Sequence, residues 1–70
     1  LTKYHRKPVI CKNDKAIRGV VVTGALATAL LQDYYKQHTC DNYQFVVLYE
    51  NGSVNGWRDE EAFLSYWSLV

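Results

Sequence analysis

The chain has 70 residues, of which 49% are hydrophobic and 21% are charged, and its formal net charge is +1. We expect residues 1–70 to form a single domain, which at this size buries only about 60% of its unfolded surface, so a large core is excluded. No apolar run reaches the roughly 18–20 residues that cross a bilayer, so no membrane-spanning helix is predicted.

The charge is distributed unevenly along the chain. Residues 1–18 hold six basic side chains and one acidic one, a net charge of +5, whereas residues 19–70 hold two basic and six acidic ones, a net charge of −4. A local positive field attracts acidic protein surfaces or phosphate whatever the total charge. We therefore expect a dipolar molecule that orients on an acidic partner or pairs head-to-tail with a second copy.

Residues 1–7 are polar and stand before Pro8, so we predict a flexible basic arm. Its cations Lys3, Arg6 and Lys7 would steer the domain towards an acidic face of another protein. The chain begins at Leu1 and contains no methionine, so we expect a processed product or a piece of a longer protein. No apolar segment follows the basic cluster as a signal peptide requires.

The next elements are predicted as two strands and a helix. Residues 8–11 form a short β-prone run with proline at its start, and residues 16–22 are rich in β-branched side chains. The valines at 20–22 favour a strand over the rival interpretation of a helix capped at Asn13 or Asp14. Residues 23–38 carry apolar side chains at helical spacing, with Thr23 as the predicted N-cap.

Residues 43–58 form a predicted β-hairpin. Asn51-Gly52 lies between two β-prone runs, and a type I′ turn favours these residues because it needs positive φ at both central positions. A two-residue loop would pair Tyr49 with Val54 and Val46 with Trp57.

A last helix is predicted from Glu60 to about Leu69. Asp59 is the expected N-cap, and the early acidic residues suit the positive end of the helix dipole. Its apolar side would comprise Phe63, Tyr66, Trp67 and Val70. Trp67 and Trp57 are assigned to the core, as is usual for large aromatic side chains in small domains.

Together these elements predict a small α+β domain in the order β-β-α-β-β-α, with a mostly antiparallel sheet and both helices packed on one face. Side chains alternate along a strand, so Tyr43, Phe45 and Tyr49 would share the face that the helices leave open. An exposed aromatic stripe is typical of a binding or self-association surface. The alternative, with helices on both faces, would bury the stripe.

Cys11 and Cys40 are the only cysteines. A disulfide between them would close a loop of about 30 residues and contribute on the order of 3 kcal/mol, and two reduced thiols are the alternative. Oxidation would indicate a secreted protein and reduction a cytoplasmic one, so the localisation is left open.

Catalytic and metal-binding patterns are weak. His5, Cys11, His38 and Cys40 have side chains that bind zinc but lack the close spacing of zinc motifs, so no metal or other cofactor is predicted. A Cys-His nucleophile pair would lack a third, orienting group, and no phosphate-binding glycine loop is present. We therefore predict no enzymatic activity.

The function predicted from these features is a non-enzymatic domain that binds another protein, as small inhibitors, effectors and toxin subunits do. The predicted binding residues are Tyr43, Phe45 and Tyr49 on the sheet and Lys3, Arg6 and Lys7 on the arm, and dimerisation through the stripe is a variant. Two alternatives stay open. One is binding of single-stranded nucleic acid, whose bases stack on aromatic rings while cations follow the backbone. The other is a secreted, disulfide-closed, toxin-like protein that acts at a cell surface.

Overall fold

A computed structural model describes residues 3–36 and 43–70. The elements, in chain order, are β1 (Pro8–Cys11), β2 (Arg18–Thr23), α1 (Ala25–Tyr35), β3 (Phe45–Tyr49), β4 (Val54–Trp57), α2 (Glu60–Tyr66) and β5 (Trp67–Leu69). The predicted small α+β class and its β-β-α-β-β-α order are confirmed. The strand β5 was not predicted, because the spacing of apolar residues indicated that the last helix continues to about Leu69.

The strands form one antiparallel sheet in the order β4-β3-β2-β1-β5. The first strand therefore lies inside the sheet, and the last strand closes its free edge by pairing Val9 with Leu69. Four strand spacings of about 4.8 Å would separate the two edges by roughly 19 Å in a flat sheet. The rings of Trp57 and Trp67, one on each edge strand, nevertheless have centroids 5.7 Å apart. The sheet is therefore strongly curved, with these rings on its concave face.

The two helices cover opposite faces of the sheet. The larger core cluster includes Phe45 and Val47 of β3 with Phe63 of α2, whereas the smaller cluster joins Val46 of the same strand to Ala27 of α1. Neighbouring residues of a strand point to opposite faces, so α2 lies on the concave face and α1 on the convex face. The prediction that both helices share one face is wrong, because both faces of β3 are apolar and each needs cover.

The β3–β4 hairpin forms, but its register differs from the prediction by one residue. Tyr49 N–H donates to the Ser53 carbonyl oxygen at 2.8 Å and Leu48 lies opposite Val54, so the loop has three residues, not two. Gly52 closes this loop with φ of 91°, as three-residue hairpin loops with a left-handed glycine do. As a result, Trp57 lies opposite Phe45 instead of Val46.

The helix ends show which capping predictions hold. Asp59 caps α2, since Ala62 N–H donates to its Oδ1 at 2.8 Å. By contrast, Gly24 occupies the N-cap position of α1 without a side-chain hydrogen bond, and the hydroxyl of Thr23 turns to His5 instead. Lys36 ends α1 in the left-handed region. Neither helix described in the two ranges is long and apolar enough to cross a membrane.

Candidate functional site

The predicted aromatic stripe does not form a surface. Phe45 is 1% exposed and stacks on Phe63 of α2, with ring centroids 4.9 Å apart. Tyr49 is half-buried against Trp67 on the same concave face. Tyr43 precedes β3 and packs with the other cluster, on the side of α1. The stripe prediction is wrong because α2 crosses the concave face and takes Phe45 into the core.

The predicted basic arm is also part of the folded body over residues 3–7. Tyr4 is 7% exposed and packs edge-on against Phe45 and Phe63 in the concave core. Backbone hydrogen bonds join Arg6 and Lys7 to Val21 of β2. A free arm is therefore the wrong description of these residues, because an aromatic anchor inside the segment fixes it to the sheet.

The anchor is linked to α2 by a charged cluster. The Tyr4 hydroxyl donates a hydrogen bond to the Glu60 carboxylate, and Lys3 Nζ lies 3.6 Å from the same carboxylate oxygen. The hydrogen bond, together with burial, raises the pKa of Tyr4 above its ordinary value of 10.0. The same hydrogen bond, with help from the charge of Lys3, lowers the pKa of Glu60 below 4.5, against an opposing effect of burial. Of the three cations expected on the arm, Lys3 is thus engaged within the molecule.

The cysteine and histidine predictions are only partly placed. Cys11 is half-buried on the concave face beside Trp67, whereas Cys40 and His38 lie outside the described residues. The Cys11–Cys40 disulfide stays a prediction, which intact mass after alkylation without reductant would check. His5 Nδ1 accepts the backbone N–H of Thr23 at 3.2 Å and so has a structural role at the end of β2.

The convex face carries a row of exposed apolar side chains that α1 leaves uncovered. The row crosses β3, β2 and β1 and ends at the residue after β5. Leu48 lies opposite Val20, Val20 lies opposite Pro8, and the Pro8 carbonyl oxygen accepts the backbone N–H of Val70 at 3.1 Å. All four side chains are exposed, Val70 at 75%. They line a depression of about 330 Å³ on the surface.

One flank of α1 continues this apolar surface. Its other flank faces β4 and the start of β3, because Tyr35 Oη donates to the Val54 carbonyl oxygen at 3.3 Å and Thr28 Oγ1 to that of Tyr43 at 3.0 Å. Three apolar side chains at helical spacing lie on the opposite flank, on the side of β1: exposed Leu26 and Tyr34 and half-buried Leu30. We call this flank and the row, residues Pro8, Val20, Leu48 and Val70, the open face.

Charged residues border the open face. Arg18 lies two residues before Val20 and Glu50 two residues after Leu48, on the same side of the sheet as these residues. Both are exposed, and Glu50 N–H donates to the Arg18 carbonyl oxygen at 3.2 Å. At the opposite end, Arg6 is exposed and lies two residues before Pro8, whereas Lys7 lies opposite Val21, whose side chain is buried on the concave face. Within residues 3–36 and 43–70, carboxylate partners within 4.0 Å are found only for Lys3 and Lys36. The border is therefore net positive.

Comparison with models of known protein families, with curated proteins and with solved structures finds no match to this chain. Function is therefore inferred from the geometry of the chain itself. In the described ranges, no group of three or more His, Cys, Asp or Glu side chains could hold a metal ion. The open face, with its apolar centre and charged border, is the surface whose composition suits contact with another protein.

The open face was not predicted from the sequence. Val20 was used only as a strand former, and Val70 was assigned to the apolar side of the last helix. The sequence does indicate that Val20 and Val22 lie on the same face of β2, because they are two residues apart in a strand. Which of the two would be covered depends on the course of α1 and on β5, and no local pattern contains that information.

Proposed function

We propose that this chain is a small non-enzymatic domain that binds another protein through the open face. The observation that supports this proposal is the row of Leu48, Val20, Pro8 and Val70, four exposed apolar side chains that lie side by side across β3, β2, β1 and the residue after β5. Monomeric proteins normally scatter such side chains singly, and a contiguous patch with a polar border is typical of an interaction site. In a domain of total surface 4597 Å², exposing such a row is a substantial cost unless a partner covers it.

The buried position of Phe45 weakens the nucleic-acid alternative. That hypothesis required bases to stack on an exposed aromatic sheet face, and α2 occupies the face in question. The open face has aliphatic side chains at its centre, which offer buried area to a protein but no stacking platform. The function we propose therefore keeps the predicted class and moves the docking surface to the convex side.

Selection of binding peptides from a random display library, with the purified domain as the target, tests the proposal. Val20→Lys and Leu48→Lys each place a charge at the centre of the open face, and we expect selected peptides to lose at least about tenfold in affinity for either variant. Ile17→Lys is the matched control, since Ile17 is 42% exposed, much like Val20 at 40%, and lies outside the open face. Circular dichroism would establish that all three variants are folded.

Peptides that bind the two open-face variants as well as the wild type would overturn the proposal. The same conclusion would follow if binding were lost equally with Ile17→Lys, since the effect would then be one of charge alone. The proposal is supported if the selected peptides still bind Ile17→Lys but no longer bind Val20→Lys or Leu48→Lys.

A further inference from the structure

The uncovered part of the convex face has the width of one helix. Four strand spacings amount to roughly 19 Å when they are followed along the curved sheet, and a helix with its side chains is about 10–12 Å across. The helix α1 packs on β2, β3 and β4, which leaves β1 and β5 with the adjoining side of β2. Two helices side by side would complete this layer, and the chain supplies one of them within its described residues.

The exposed flank of α1 has the form of a helix-packing seam. Leu26, Leu30 and Tyr34 follow one another at intervals of four residues, and such residues lie one above another on a helix surface. The seam spans eight residue steps, or about 12 Å at 1.5 Å per residue. An occupant of about three helical turns would contact this seam on one side and the row of Val20, Pro8 and Val70 beneath it.

The charged border selects the chemistry of the occupant. Arg6 and Arg18 are exposed at the border of the open face, and Glu50 is the acidic residue next to Arg18. Asp33, on α1, already has Lys36 Nζ at 3.8 Å. Electrostatic complementarity across an interface therefore favours a partner that carries acidic side chains beside its apolar ones.

Two other occupants fit less well. A second copy of the chain, packed convex face to convex face, would bring the positive borders together. A stable dimer also commonly buries about 800 Å² per partner, a large share of the 4597 Å² that this domain exposes. A strand added at a sheet edge would extend the sheet sideways, whereas the apolar row runs across the strands and would stay uncovered.

From these three observations we infer that the open face binds an amphipathic α-helix of about three turns whose polar side is acidic, presented by a partner protein. This inference rests on the proposed protein-binding function and names the kind of element that the open face recognises. The apolar side of that helix packs between Leu30 and Val20, and its acidic side chains face Arg18 at one end and Arg6 at the other.

The test uses two displayed peptide libraries and the whole domain as the target. In the first library, 14-residue peptides are held helical by a side-chain crosslink, apolar residues vary on one side and Glu, Gln, Ser and Lys vary on the other. In the second library, peptides of the same length and composition contain a central proline, which prevents a continuous helix. We expect at least tenfold greater enrichment from the helical library and selection of Glu over Lys on its polar side.

Affinities of the selected helical peptides give a second readout. We expect Val20→Lys to weaken binding at least tenfold, Arg18→Gln to weaken it about threefold for Glu-containing peptides but not for their Gln analogues, and Ile17→Lys to leave it unchanged. If Arg18→Gln no longer weakened binding at high salt, this would agree with an exposed ion pair between Arg18 and a Glu of the peptide.

The possible failures separate the two proposals. The acidic-helix inference is overturned if only the proline-containing library is enriched, or if Lys is selected over Glu. Protein binding by the open face still stands in either case, provided that Val20→Lys abolishes the binding. A concentration-dependent dimer that Val20→Lys dissociates would likewise replace the helix by a second copy. If neither library yields a ligand whose binding is weakened by Val20→Lys, the acidic-helix inference and the proposed function are both overturned.

Discussion

Gly19 is the residue with the least room for a side chain. A Cβ built at this position would lie 2.5 Å from the Leu48 carbonyl oxygen and 2.7 Å from Val47 Cγ1. These atoms belong to the neighbouring strand β3, and one of them is backbone, so a side chain at position 19 would force β2 and β3 apart. The close approach of β2 and β3 thus depends on a glycine at position 19.

We expect Gly19→Ala to lower the free energy of unfolding by about 2 kcal/mol or more, because it overpacks a fixed backbone contact. Urea denaturation measures the change. Gly24→Ala is the comparison variant: its Cβ would meet nothing within 4 Å, so only the strain of φ at 72° and ψ at −146° remains, at a cost of about 1–3 kcal/mol. A loss for Gly19→Ala below about 1 kcal/mol would contradict the close approach.

Glu60 makes the stability depend on pH in the acid range. Its pKa is lowered in the folded state, chiefly by the Tyr4 hydrogen bond, so its contribution is complete above the ordinary value of 4.5 and is lost as the pH falls through the folded-state value. We therefore expect the difference in unfolding free energy between the wild type and Glu60→Gln to shrink between about pH 6 and pH 3. Urea denaturation across this range measures it.

Glu61→Gln serves as the control for Glu60→Gln, since it removes the neighbouring charge on α2 without removing the acceptor of the Tyr4 hydroxyl. If Glu60→Gln and Glu61→Gln changed the acid dependence alike, the Tyr4 contact would not be its source. Tyr4→Phe should reduce the acid dependence in the same way as Glu60→Gln, because it removes the hydroxyl that donates the hydrogen bond to Glu60.

Among the elements, α2 is the shortest helix and depends on its cap. It has seven residues, and Asp59 accepts the Ala62 N–H at its first turn. We expect Asp59→Ala to lower the unfolding free energy by about 1 kcal/mol and Asp59→Asn, which keeps the acceptor, to lower it by only a few tenths. Thermal and urea denaturation give both values. Equal effects of the two substitutions would show that the charge, and not the cap geometry, is what matters.

The elements also show what could be predicted from sequence and what could not. Asp59, the Pro8–Cys11 strand and the existence of the hairpin follow from local chemistry, and all three are confirmed. The hairpin register was wrong because Asn51-Gly52 serves both two- and three-residue loops, and the choice moves Trp57 to the other face. The strand β5 was missed because Trp67 and Val70 continue the helical spacing of Phe63 and Tyr66, whereas the backbone partners that β1 offers cannot be read from that spacing.

The open face was missed for a different reason. Its members come from β1, β2, β3, α1 and Val70, so no stretch of sequence contains more than a few of them. Alternation assigns each side chain to a face of its own strand, but strand order and helix placement decide which apolar side chains remain exposed. The aromatic stripe was the natural local inference, and it failed because α2 crosses the sheet from β4 to β5.

On the scale of the whole molecule, Trp67 joins the two edges of the curved sheet. It is 2% exposed and contacts both Trp57 and Tyr49. We expect Trp67→Ala to cost about 3–5 kcal/mol, which is most of the stability of a domain of this size, so its amide NMR spectrum should lose much of its dispersion.

Leu69→Ala is the matched control for Trp67→Ala. It truncates an apolar side chain of the same strand that is 47% exposed, so we expect a loss below about 1 kcal/mol and a native-like spectrum. A dispersed spectrum and a similarly small loss for Trp67→Ala would show that the two edges hold together without this ring.

The position of β1 between β2 and β5 has a kinetic consequence. Residue 9 pairs with residue 69, and such distant pairings slow folding because loop closure precedes the contacts that compensate for it. Until residues 67–69 dock, β1 presents an unpaired edge and the concave core lacks one of its largest rings. Unpaired edges recruit other chains, so refolding yield should fall as protein concentration rises, and a chaperone that shields the β1 edge would act during this interval.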